Sequence, residues 1–292
     1  MNLYIGCPIW SNKDWVGSFY PKGAKPADFL RIYAQQLTAV EGNTTFYAVP
    51  SLASIQKWVE ETPDTFSFCP KIPRAISHAG KLMDHMQEAL QFLDVMRRLG
   101  SRLGPMFLQL PPGYSPAMMD DLRSFLDVWP AQAQLAVEVR HPAWFDAAHH
   151  AALQALLARH HVARVNIDTR PIRSLAGDKV LQSSVYERLL QARAQKPNTP
   201  IVTEPTAPFT FLRYIGHPQI ELNAPYLDEW AAHLADWLHQ GLDAYVFCHC
   251  PEESQDPRIC RDLHERVAAK AQIDPLPQRE TDPGELKQAR FF

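Results

Sequence analysis

Short apolar runs recur along this chain, and most end in a charged or amide side chain just before an amphipathic stretch begins. The runs fall at 3–5, 39–43, 66–71, 106–110, 135–140, 163–168, 209–215 and 244–249. Their length and two-residue alternation predict strands. Between them, apolar residues spaced by three and four predict helices. Leu30, Ile32, Tyr33 and Leu37 follow Asp28, and Leu52, Ile55, Trp58 and Val59 follow Ser51. Leu90, Leu93, Val95, Met96 and Leu99 lie between Asp84 and Gly100. Leu122, Phe125, Leu126 and Trp129 follow Asp120 and Asp121 and stop at Pro130. Leu153, Leu156 and Leu157 follow Asp146, and further helices are predicted over 226–238 and 258–269. Side-chain oxygens are expected to cap these helices, with glycine or proline ending them.

Strands alternating with helices imply parallel pairing through right-handed crossovers. Eight such units fit an α/β fold, the TIM (β/α)8 barrel. A doubly wound open sheet is the alternative, but Gly6-Cys7-Pro8-Ile9-Trp10 lacks its glycine-rich first turn. One segment breaks the rhythm. Residues 170–208, after strand six, are too long for a simple connection, and combine a predicted helix over 184–194 with Pro197, Pro200, Pro205 and Pro208. The segment reads either as a lid over the barrel mouth or as a surface excursion. A single barrel domain is expected over 1–270, followed by a polar tail over 271–292.

Alternation also sorts side chains by face. Glu138 and Arg140 share a phase with Ala136; Arg164, Asn166 and Asp168 share another; Lys71 goes with Cys69, Gln109 with Phe107, Arg213 with Phe211 and His249 with Phe247. A surrounding helix layer requires apolar partners, so the polar phases are expected to look into the barrel. Their last members then stand at the carboxyl-terminal rim, where barrel active sites are built. The expected mouth holds Glu41, Asn43, Lys71, Gln109, Glu138, Arg140, Asn166, Asp168, Arg213 and His249. Such charges are either a self-satisfied ionic plug or a ligand site.

Composition narrows the classes. The chain has 292 residues, 46% hydrophobic, with a net charge of -3, so nothing global attracts nucleic acid or an acidic membrane. Neither a secretory leader nor a membrane span is expected, which points to a cytoplasmic protein. Five scattered cysteines, Cys7, Cys69, Cys248, Cys250 and Cys260, do not form a disulfide framework. In Cys248-His249-Cys250 the histidine points away from both thiols, so buried thiols are expected rather than zinc.

Ordered motifs then bring a family into view. They are Trp15-Val16-Gly17-Ser18-Phe19-Tyr20-Pro21, Val40-Glu41-Gly42-Asn43-Thr44-Thr45-Phe46-Tyr47 with Pro50, and Trp58 with Thr62-Pro63 and Phe66. Lys71-Ile72-Pro73 with Ser77-His78, Leu108-Gln109-Leu110-Pro111-Pro112 and Val137-Glu138-Val139-Arg140-His141 with Trp144 continue the series. In these the chain resembles the YecE-like family (domain of unknown function 72). The resemblance covers the first half densely and implies a TIM-type barrel; it implies no reaction. The chain departs from the family pattern at Leu212-Arg213-Tyr214-Ile215-Gly216, at Phe247-Cys248-His249 and in its opening turn. These departures are consistent with an altered ligand preference.

Arg140, Arg213 and Lys71 together suit a carboxylate or phosphate. The first expectation is an enzyme acting on a small anionic or sugar-like substrate by general acid/base chemistry, without a cofactor. Glu41, Lys71, Glu138 and Asp168 are the candidate catalytic groups; Asn43, Gln109, Arg140, His141, Arg213, His249 and Trp144 are the candidate binding groups. Trp10, Phe46 and Tyr47 stand as further pocket walls or as core. Lys71 would alternatively form a Schiff base if its neighbours depressed its pKa. A second class is a metal-dependent hydrolase or phosphoesterase using Glu41, Glu138, Asp168 and His249, opposed by the nearby cations. A third is a non-catalytic anion-binding protein.

Overall fold

The computed structural model describes residues 1–176 and 181–277. Eight parallel strands run β1 Leu3–Cys7, β2 Ala39–Gly42, β3 Ser67–Pro70, β4 Met106–Gln109, β5 Leu135–Glu138, β6 Ala163–Asp168, β7 Phe209–Ile215 and β8 Asp243–His249. The ladders follow the order β3-β2-β1-β8-β7-β6-β5-β4. Between β3 and β4 the contact is sparser. Bridges join Phe68 to Leu103 and Lys71 to Phe107, and the Gly104 and Ile72 amides donate to Phe68 O (2.8 Å) and Phe107 O (2.9 Å). Gly104 permits this approach, because a Cβ there would lie 2.2 Å from Ser67 Oγ. The sheet thus curls into the barrel that the alternating pattern predicts.

Helices α1 Phe29–Ala34, α2 Leu52–Glu61, α3 Arg74–Ser77, α4 Met86–Met96 and α5 Met119–Val128 clothe the first half. Helices α6 Ala147–Arg159, α7 Arg170–Arg173, α8 Ser183–Gln195, α9 Ala224–His239 and α10 Asp256–Ala268 complete the set. Capping is less uniform than expected. Ser51 accepts from the Ser54 amide at 3.1 Å, whereas neither Asp28 nor Asp146 makes a side-chain cap. Asp121 instead accepts from the Leu82 and Met83 amides, tying α5 to the start of the α4 region.

Two apolar compartments result. The larger lies between strands and helices and includes Ile5, Val40, Phe68, Leu108, Val137, Tyr214 and Cys248. The smaller fills the barrel with Cys69, Phe107, Ala136, Val165, Phe209, Phe211, Tyr245 and Phe247. Inside, Tyr4 stacks on Tyr245 at 4.5 Å near the amino-terminal end, and Phe107, Phe211 and Phe247 form the layer above. The Trp15-to-Pro21 motif serves the outer layer. Trp15 is buried against Phe19, Tyr20 and Tyr33, and its indole donates to Glu253 O at 2.8 Å.

Within the insertion, Ile172 of α7 and Leu189 of α8 pack on Ile167 and Ile215 at the carboxyl ends of β6 and β7. The segment is fastened from several sides. Arg173 donates to Lys196 O (2.8 Å), Thr169 to Pro197 O (2.9 Å) and Arg188 to Pro251 O (3.1 Å), while Arg188 also pairs with Glu252. It therefore packs over the carboxyl ends of β6 and β7 and is tied to the segment after β8. Residues 177–180 of the insertion and 278–292 of the expected tail lie outside the described residues.

Candidate functional site

Above the Phe107 layer, four buried side chains and the half-buried Arg140 form one ionic lattice. Arg213 of β7 grips Glu41 of β2 with two nitrogens, at 2.9 and 2.8 Å, and reaches Glu138 of β5 with the third at 2.8 Å. Glu138 takes its second bond from Arg140 at 2.5 Å. His249 of β8 stands 3.1 Å from Glu41 through Nε2. Burial alone would raise both carboxyls, but the arginines outweigh it. Glu41 is held well below the usual range by Arg213 and then His249, and Glu138 is held at about 2 by Arg140 and then Arg213. Burial pushes His249 down to about 4 against the pull of Glu41, so the neutral ring donates its Nε2–H to that carboxylate.

Beside this lattice lies an amine with no carboxylate of its own. Lys71 directly follows β3. Its Nζ donates to Gln109 Oε1 at 2.9 Å, and the same oxygen accepts from Arg140 Nη2 at 2.8 Å. The Phe46 ring centre lies 4.1 Å from Nζ and that of Phe107 5.4 Å. Among the described residues, no carboxylate comes within ion-pairing distance of Lys71. Burial and then Arg213 push it down to about 7, despite the opposing pull of Glu41 and Glu138. The Thr45 hydroxyl lies 2.7 Å from Gly42 O and 2.6 Å from Lys71 O, which pins the β2 loop carrying Phe46 to the lysine backbone.

The expected residues divide into two groups. Glu41, Lys71, Gln109, Glu138, Arg140, Arg213 and His249 converge, as their phases require. Asn43 sits at the rim, opening a 3₁₀ turn and reaching Pro8 O at 3.4 Å. His141 faces its own chain, its Nδ1 accepting from the Ala143 amide at 3.2 Å. Trp144 is not in the mouth. It is buried in the outer core, where its indole finds an acceptor in Tyr114 O at 2.7 Å. Trp10 likewise packs outside the barrel, against Trp58 and Phe68, and Tyr47 is exposed.

Strand β6 reverses the expectation. Ile167 is in register with Arg213, so it follows that arginine inward, and Asp168 pairs with the outward Tyr214. Asp168 accepts from Trp230 Nε1 of α9 at 2.7 Å and from Arg170 at 2.8 Å. Asn166 exchanges two hydrogen bonds with the Val202 backbone, at 2.8 and 2.9 Å, and Arg164 lies over the Phe145 ring and meets His150. Neither Asp168 nor Asn166 reaches the mouth.

Two contributors escaped the strand-based reading. Lys196, just beyond α8, is lowered to about 8 by burial and then by Arg213, and it in turn lowers His249. The insertion thus brings a second weakened amine into electrostatic range of the lattice. His78, after α3, packs edge-on to Phe46 at 5.2 Å and is pushed to about 4 by burial and then Lys71. The motif Ser77-His78 was visible in the sequence; Lys196 had no periodic signal. A cleft of about 720 Å³ opens at the opposite end of the barrel, beside Asn2, Tyr4, Thr38 and Asp274. It has no comparable cluster of buried charges, and the carboxyl-terminal rim is where this architecture places its chemistry.

The family described as "Protein of unknown function DUF72" matches residues 4–282. The UPF0759 protein YecE of Escherichia coli strain K12 is 34% identical over 264 residues, 90% of this chain and 92% of that protein. The chain belongs to the DUF72 family. Two solved DUF72 structures share its fold. The Enterococcus faecalis protein has a TM-score of 0.69 at 16% identity, covering 96% of this chain and 100% of the other. The Thermotoga maritima protein has a TM-score of 0.66 at 18% identity, covering 92% and 100%. The DUF72 motifs quoted above thus have two uses in this chain: Trp15, Phe19 and Trp144 build the outer layer, while Glu41, Lys71, Gln109, Glu138 and Arg140 line the mouth.

Proposed function

We propose that this protein is an enzyme that binds a small phosphate- or carboxylate-bearing substrate in the carboxyl-terminal mouth and transforms it by proton transfer. The observation that carries this reading is the charge balance of the lattice. Glu41 and Glu138 are matched by Arg213 and Arg140, which leaves Lys71 and Lys196 in excess. Both amines are depressed by burial, and an anion seated between Arg140 and Lys196 would restore the charge of Lys196 while Lys71, donating to the neutral Gln109 amide, keeps its lone pair. Binding is thereby coupled to proton uptake. Lys71 suits the proton-transfer role better than either glutamate, because its transition lies near neutrality while both glutamates have their oxygens engaged. The glutamates fix Arg213; Arg140 and Lys196 face the anion.

Thermal-shift titration with inorganic phosphate and small carboxylates tests the binding step. Stabilisation is expected in the wild type and should weaken about tenfold in apparent affinity in Arg140→Gln and in Lys196→Gln, as loss of one charge-assisted bond implies. Titrations that ignore both changes, or no stabilisation at all, would refute it. Binding without any turnover would favour the non-catalytic anion-binding reading.

A further inference from the structure

We propose that Lys71 is the nucleophile of an imine-forming site, and that its substrates are 2-oxo acids, small carbonyl compounds with a carboxylate on the adjacent carbon. The proposal rests on the anion-binding reading above and names the substrate class for it.

Imine formation needs a free lone pair on nitrogen, which an ammonium tied to a carboxylate lacks. Lys71 Nζ is buried between the Phe46 and Phe107 rings, and its hydrogen-bond partner is the neutral amide oxygen of Gln109. That acceptor pins one N–H and leaves the lone pair directed elsewhere. Burial without a counter-ion disfavours the ammonium, in keeping with its depressed pKa.

The spacing to Arg140 then selects the substrate. One Gln109 oxygen accepts from Lys71 Nζ at 2.9 Å and from Arg140 Nη2 at 2.8 Å. The two nitrogens are therefore no more than about 6 Å apart, the limit set by two hydrogen bonds meeting at one atom. A carbonyl carbon in attack position sits about 3 Å from the nucleophile. A carboxylate on the next carbon then falls within hydrogen-bond reach of the guanidinium, whereas an anionic group several carbons away overshoots it. The guanidinium fork also suits a planar carboxylate.

The chemistry balances without an oxidant or reductant. The Lys71 lone pair forms a C–N bond to the carbonyl carbon, and the C=O π pair moves to oxygen. Nitrogen gives up one proton, and that proton with one from solvent converts the oxygen to water as the C–O bond breaks. The nitrogen pair closes the C=N bond, leaving a protonated imine and one water.

Reductive trapping tests this. The full chain is incubated with glyoxylate or pyruvate and sodium cyanoborohydride near neutral pH, and its peptides are mapped by mass. The reduced adduct is expected on Lys71 at least about tenfold faster than on exposed Lys13, Lys57 and Lys81, because an ordinary lysine is almost wholly protonated there. Lys71→Arg should remove the adduct while keeping the wild-type circular dichroism. Should that variant fail to fold, the wild-type labelling ratio decides alone. If the two acids raise the melting temperature yet Lys71 is labelled no faster than the surface lysines, the imine is refuted and anion binding stands. If they neither stabilise nor label, both readings fall.

Discussion

Arg213 shows how one side chain holds a site together. All its guanidinium nitrogens are engaged by two carboxylates from strands far apart in sequence, and Phe107 lies beneath it at 4.9 Å. Removing it would strand two buried negative charges. Arg213→Ala is expected to cost about 3–5 kcal/mol in denaturant unfolding at neutral pH. A loss below ~1 kcal/mol, the worth of an exposed pair, would show that the lattice is hydrated rather than buried. The same residues set the acid limit. Glu41 and Glu138 titrate below the unfolded value of about 4.3. Their contribution is therefore complete above that pH and fades as pH falls below it, the Glu138 part being lost toward about 2. Denaturant midpoints followed from neutral pH downward should drop within that window in the wild type. In Arg213→Ala the penalty should shrink on acidification, as the bared carboxyls take up protons.

Among the elements, β6 marks the boundary of what the sequence discloses. Alternation separates a strand's two faces but does not say which one looks inward. In β5, β7 and β8 the polar phase carries interior residues such as Ala136, Phe211 and Phe247, and the inward assignment holds. Glu41, Lys71, Gln109, Glu138, Arg140, Arg213 and His249 were legible for that reason. In β6, as in β5 and β7, both faces are buried, but here the polar one turns outward and is satisfied by partners that no strand pattern reveals: the Val202 backbone, Trp230 and Arg170. Lys196 was hidden for a related reason, since the bend of the insertion, not a repeat, sets its position. Strand and helix positions were otherwise legible to within a few residues, because their apolar faces build the two compartments directly. Helix α10 opens on a buried carboxyl. Its first residue, Asp256, is buried and makes no ion pair among the described residues, and burial raises it well above the ordinary carboxyl range. A raised carboxyl pKa means stability is greatest below the unfolded value and is lost as pH rises toward the folded one. Asp256→Asn should therefore raise the melting temperature more at about pH 8 than at about pH 5, because the cost of keeping the proton in the folded state grows with each pH unit up to the folded pKa. An equal change at both pH values would show that Asp256 is ionised and solvated.

At the scale of the molecule, the barrel is graded along its axis. Stacked tyrosines lie near the amino-terminal end, phenylalanines fill the middle and the ionic lattice lies under the insertion at the other end. Around its circumference it is uneven. Every neighbouring pair of strands forms a ladder except β3 and β4. A circular permutant opened at Gly80, where a left-handed glycine (φ 107°) has open space around it, would place its new ends between those two strands. With a flexible linker joining the original ends, the permuted chain would traverse the strands in sheet order from β4 round to β3. The ladder that pairs Leu3 with Ala244 would then join sequence neighbours. Lower contact order favours faster folding. The permutant is expected to melt cooperatively and to refold faster than the parent in stopped-flow fluorescence. Loss of cooperative melting would mean that the β3–β4 connection holds the cylinder shut despite its few hydrogen bonds.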